Sequence, residues 1–108
     1  MSMTTTRADA PGLYERGAME NGRRSNIQII AEMLMACAKA NTGRTGIMYR
    51  VNLSHAQLQK YMSFLELRRF LEPADHSSPV KYTTTVKGGK LLRDIEKILE
   101  PLGLEIPG

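Results

Sequence analysis

At 108 residues the chain suits one domain with a modest core, which its 42% apolar residues can build without any tryptophan. Fifteen Lys and Arg against eleven Asp and Glu leave a net charge of +4, a mild excess that suits an anionic partner such as nucleic acid without requiring one. Cys37 is the single cysteine, which excludes an intrachain disulfide and a thiolate metal cluster and fits a reducing cytoplasm.

Residues 1–22 are rich in Thr, Gly and Arg and show no sustained apolar period, so they read as a flexible arm, with the domain proper spanning 23–108. No apolar core of the signal-peptide kind appears there. Arg7, Arg16, Arg23 and Arg24 are cations that such an arm could lay along a minor groove, although Glu15 and Glu20 dilute them.

Order is expected from Ser25, where SNIQ has the arithmetic of a capping box. Ile27, Ile30, Ala31, Leu34 and Ala38 follow at helical spacing, and the segment from Asn41 to Gly43 ends the helix. Ile29, Met33, Met35 and Cys37 carry the apolar surface almost right round, as expected of a helix covered on more than one side. Its run IIAEMLMACA is broken by Glu32 and falls well short of the roughly 20 residues a membrane helix needs, so no membrane partner is expected.

A short second helix carries Ile47, Met48 and Val51, with Thr45 as its expected cap. SHAQ then repeats the capping pattern at Ser54 and Gln57, and Leu58, Tyr61, Met62 and Leu65 form one inward row. Joined through Asn52 and Leu53, the second and third helices read as a helix-turn-helix. FLEPA and VKYTTT read as short strands around the polar loop DHSSP, with Val80, Tyr82 and Thr84 on one face and Pro73 confining its strand to an edge or standing at its end. Thr85 can cap a last helix faced by Leu91, Leu92, Ile95, Ile98 and Leu99. Gly88 and Gly89 are each expected to weaken it by about 1 kcal/mol relative to alanine, and Pro101 and Gly103 to stop it. The fold class is therefore mainly α with a small β-hairpin: a winged helix-turn-helix with an added C-terminal helix.

The third helix, over 54–67, turns Ala56, Gln59, Lys60 and Ser63 away from its buried row, with His55 and Gln57 flanking the first turn. Amides, a hydroxyl and one cation without an acid are what a groove-reading face needs. Glutamine makes paired bonds to adenine, lysine reaches guanine or phosphate, and an acid would meet a wall of phosphates. Ser54 opens the helix, whose exposed N–H groups suit phosphate. His76, Ser77, Ser78 and Lys81 belong to a wing over 75–81 placed for backbone or minor groove, while Arg44, Thr45 and Arg50 are candidate phosphate clamps. The bland alternative is an ordinary solvated helix face. His55 and His76 lie on different elements with no carboxylate at ligand spacing, and no phosphate loop, nucleophile elbow or paired-carboxylate signature occurs. Neither metal, cofactor nor enzyme activity is expected.

GIMYRVNLS, the row from Tyr61 to Leu65, and KYTTTVKGGKLLRDIEK together resemble an archaeal winged-helix family that includes a ten-kilodalton chromatin-associated protein. The matching residues are Ile47, Met48, Tyr49, Asn52, Leu53, Ser54, Tyr61, Leu65, Tyr82, Thr85, Lys87, Gly88, Leu91 and Leu92, within about residues 24–98. The resemblance implies binding of double-stranded DNA by the third helix and wing, in a transcriptional or nucleoid-associated chromatin role. It also implies a dimer built on a long coiled coil from the last helix. Here EPLGLEIPG breaks that helix, so a homodimer would need another contact, for which the first helix, Leu102, Leu104 and Ile106 are available. A winged helix can also serve as a protein-interaction module that never touches DNA. Binding to a duplex, and its loss with salt, separates the two readings.

Overall fold

The computed structural model describes residues 24–76 and 78–106; the expected arm, Arg23 and Ser77 lie outside them. Helix α1 (Asn26–Lys39) starts as the sequence dictates. The Ser25 hydroxyl accepts from the Gln28 N–H (3.1 Å), and the Gln28 amide oxygen accepts from the Ser25 N–H (2.9 Å). The helix stops at Lys39, where Ala40 turns extended, rather than running to Asn41. Its inward face also differs from the simple period, because Ile27 and Ala38 are exposed whereas Gln28 and Glu32 are buried. Both polar side chains are satisfied inside: Gln28 donates to the Glu105 carbonyl (3.3 Å), and Glu32 takes two bonds from Arg24 (2.8 and 2.7 Å).

Strand β1 (Thr42–Gly43) leads into α2 (Arg44–Val51), and α3 (His55–Leu67) follows a three-residue turn. Strands β2 (Leu71–Pro73) and β3 (Lys81–Thr84) form the hairpin, followed by α4 (Val86–Leu99) and a short 3₁₀ turn (Glu100–Leu102). The sheet is antiparallel in the order β1-β3-β2, with Thr42 opposite Tyr82, Gly43 opposite Lys81 and Leu71 opposite Thr84. The sequence suggested the hairpin only; a two-residue strand shows no alternation to detect. Tyr82 faces inward as expected, but Val80 precedes the strand and is exposed.

The breadth of α1 has a simple cause. One side joins Ile47, Val51, Leu58, Met62, Leu65 and Leu71 in the main core, while Ala31 meets Ile95 and Leu99 of α4 in a second cluster. Full burial of each large aliphatic side chain contributes roughly 1.5–3 kcal/mol, so α1 is the post on which both layers hang. Gly103 reverses the chain in the left-handed region (φ 72°), and Leu104 and Ile106 pack on the second cluster. Of the residues expected to reach a second copy, Leu104 and Ile106 thus pack inward, whereas Leu102 is exposed, as is Ile98. No helix among the described residues is long and apolar enough to cross a membrane.

The two glycines of α4, equivalent in sequence, differ in space. A Cβ on Gly88 would stand 2.2 Å from the Phe70 carbonyl oxygen, because α4 begins hard against the backbone that follows α3. The Cβ of an alanine at 89 would meet nothing closer than an Arg93 guanidinium nitrogen at 3.8 Å. Thr85 caps this helix as expected, its hydroxyl accepting from the Gly88 N–H (2.9 Å) and donating to the Arg69 carbonyl (2.7 Å).

Candidate nucleic-acid interface

Helix α3 is held on three sides. Leu58, Tyr61, Met62 and Leu65 are buried, and the Tyr61 hydroxyl donates to Asn26 Oδ1 at the start of α1 (2.6 Å). The turn before it relies on Asn52, which adopts the left-handed conformation (φ 57°, ψ 58°) that asparagine tolerates better than most residues. Arg24 reaches over to the Asn52 carbonyl (3.2 Å) while bridging Glu32. An arginine that the sequence allowed in a DNA-following arm is instead a strut between α1 and the helix-turn-helix. The C-terminal end closes on Arg69, also left-handed (φ 61°), with the Phe70 N–H donating to the Leu65 carbonyl (2.9 Å) and the Arg69 N–H to the Glu66 carbonyl (3.0 Å).

Ala56, Gln59, Lys60 and Ser63 are all exposed, and at about 100° per residue they occupy the arc opposite the buried row. Leu67, 79% exposed, continues that arc. Counting on from Ala56 by eleven residues finds it in the sequence, but it was not singled out there. Glu66 lies at the margin and accepts a bond from Arg44 (3.3 Å). The ammonium of Lys60 lies 5.4 Å from the centre of the Tyr61 ring.

Gln57 and Ser54 are committed locally. The Ser54 hydroxyl accepts from the Gln57 N–H (3.1 Å), and the Gln57 amide oxygen accepts from the Ser54 N–H (2.9 Å). This box turns the Gln57 amide back on the helix start, whereas the Gln59 side chain makes no hydrogen bond among the described residues. His55 is exposed beside the box.

The cap of α2 is Gly43, without a side-chain bond, and Thr45 lies within the helix; the expected Thr45 cap is therefore corrected. Gly43 takes that place because β1 ends there, under the Val80 carbonyl, 3.3 Å from where a Cβ would stand. Arg44 and Arg50, at the two ends of α2, meet different neighbours. Arg44 meets Glu66 and the Tyr82 ring (5.7 Å), bringing it beside α3 and the hairpin, while Arg50 is a charge neighbour of Cys37 on α1. Lys81 pairs with Gly43 at the loop end of β3 with its side chain exposed, and His76 and Ser78 are exposed in the loop. Arg44 and Lys81 are thus gathered near one end of the sheet, and Arg50 is apart from them.

Burial pushes the Cys37 thiol up to about 11, the Arg50 guanidinium pulling the other way. The unfolded thiol ionises near 9.0, so unfolding releases a proton between pH 9 and 11 and stability should fall as pH rises through that window. Cys37→Ala should remove that part of the slope. At pH 8 the native thiol should resist an aromatic disulfide reagent and react only on unfolding. Labelling of the native protein at the rate of a free thiol would contradict this burial.

A sequence profile described as winged helix-turn-helix matches residues 23–102. The chain belongs to the winged helix-turn-helix family. Among solved structures, this winged helix is similar to Sso10a-2, a DNA-binding protein from Sulfolobus solfataricus, at 25% identity and TM-score 0.66, over 74% of this chain and 83% of that one. It also shares its fold with S. aureus MepR in a DNA complex (16% identity, TM-score 0.56, 73% and 67% of the two chains). Lactococcus lactis ZitR in complex with DNA is comparable (18%, 0.55, 70% and 57%), so the winged helix spans less than two thirds of that protein. No curated protein matches in sequence.

Proposed function

We propose that this winged helix binds double-stranded DNA as a transcriptional regulator or chromatin-associated factor, acting at the nucleoid in the cytoplasm. In this reading α3 enters the major groove and the loop over 75–81 lies on backbone or minor groove. The observation that carries it is the outer arc of α3: Ala56, Gln59, Lys60, Ser63 and Leu67 are exposed together without an acid among them, on a helix fixed from behind. The likeness to Sso10a-2 supports the same reading. Lys60, Lys81 and Arg44 serve as phosphate contacts, with Arg50 a more distant fourth. Any homodimer has the exposed Ile98 and Leu102 to use, and Ile27 at the start of α1.

Anisotropy of a labelled duplex at 50 and 200 mM salt tests this. With about four phosphates neutralised, affinity should fall roughly a hundredfold between the two. Lys60→Ala and Lys81→Ala should weaken all sequences alike, each lowering the salt slope by about one. Absent or salt-independent binding would leave the interaction-module reading in its place.

A further inference from the structure

Resting on that reading, we infer that α3 discriminates for A·T pairs, with Gln59 as the adenine reader and Ala56 as the contact to the thymine methyl. The two glutamines of the first turns differ in one respect that matters to a base edge. Paired bonds to adenine require the amide oxygen to accept from N6 and the amide nitrogen to donate to N7 at once. Gln57 has its oxygen on the Ser54 N–H and its amide turned to the helix start, so it offers that pair only by dismantling its own cap. Gln59, two residues on, is exposed and makes no hydrogen bond among the described residues. Ala56 stands one turn N-terminal to Gln59 and Lys60 on the outer arc, and a bare methyl group there fits the thymine methyl better than any polar base edge. Guanine is read most often by arginine or lysine, and the arc carries no arginine. Lys60 is its one cation and lies beside the Tyr61 ring.

The test measures affinity of the full chain for matched 16-base-pair duplexes by competition at one salt concentration. One is alternating A·T, one alternating G·C, one A·T with 7-deazaadenine, and one with uracil for thymine. The expected order is A·T about tenfold tighter than G·C, with the deaza and uracil duplexes each several-fold weaker than A·T. The deaza change removes only a major-groove acceptor, so it excludes a preference read through minor-groove width. Gln59→Ala should collapse the A·T advantage and the deaza effect, lowering A·T affinity far more than G·C affinity, without a change in melting temperature. Gln57→Ala should lower the melting temperature and keep the A·T advantage. Equal affinity for all four duplexes, or an advantage that survives Gln59→Ala and is lost in Gln57→Ala, overturns the inference while DNA binding stands. No binding to any duplex at low salt overturns both.

Discussion

Gly88→Ala is expected to destabilise the protein by about 3 kcal/mol or more, lowering the melting temperature by well over ~10 °C. The reason is the 2.2 Å approach to a backbone carbonyl, which has no rotamer to yield. Relief would require α4 to move off the Phe70 carbonyl, and with it the Thr85 cap that ties the same stretch to the Arg69 carbonyl. Gly89→Ala, one residue on, is the control. Its Cβ enters open space, and removing glycine from a helix should stabilise by up to about 1 kcal/mol. Thermal melts of the two variants should therefore shift in opposite directions. Equal small shifts would mean that α4 does not seat as closely as described.

Arg24→Ala should cost about 3 kcal/mol, because it strands the Glu32 carboxylate in the interior. Glu32 has a side chain only 7% exposed and takes both its bonds from one guanidinium nitrogen, whose partner nitrogen holds the Asn52 carbonyl. Breaking such a pair is far worse than never having it. The double variant Arg24→Met with Glu32→Leu should accordingly recover much of the loss, a coupling visible in urea denaturation as non-additivity of the single changes. A cost below about 1 kcal/mol for Arg24→Ala would show that water reaches Glu32. Because the same arginine steadies the turn before α3, the single variant should also weaken duplex binding in the reading proposed above.

The helices and hairpin were legible in the sequence because their signals are local. Ser25 with Gln28 and Ser54 with Gln57 write their own caps, and the row from Leu58 to Leu65 declares its inner side by spacing alone. What was not legible depends on partners distant in sequence. Glu32 reads as an interruption of an apolar run until Arg24 is brought to it, and Gly88 and Gly89 look alike until Phe70 lies beside one of them. The strand at Thr42 and Gly43 exists only because β3 comes alongside. The same limit applies to the candidate interface. The outer arc of α3 follows from helical arithmetic, but that Gln57 is engaged while Gln59 is not, and that Arg44 and Arg50 meet different neighbours, needed coordinates.

The hydroxyl of Thr84 donates to the Leu34 carbonyl in the middle of α1 (2.6 Å), and β1 and β2 pair with the same strand on its two edges. The pairing of β2 with β3 ends at Pro73 opposite Tyr82, and beyond it the Ala74 N–H donates to the Lys81 carbonyl (2.8 Å). Mechanically the hairpin is a cantilever bolted at its base to the same post that positions α3. The strand that carries the loop and the helix that carries the outer arc thus rest on one element, α1. In the proposed reading, that shared support sets the span between the two contacts a duplex would make.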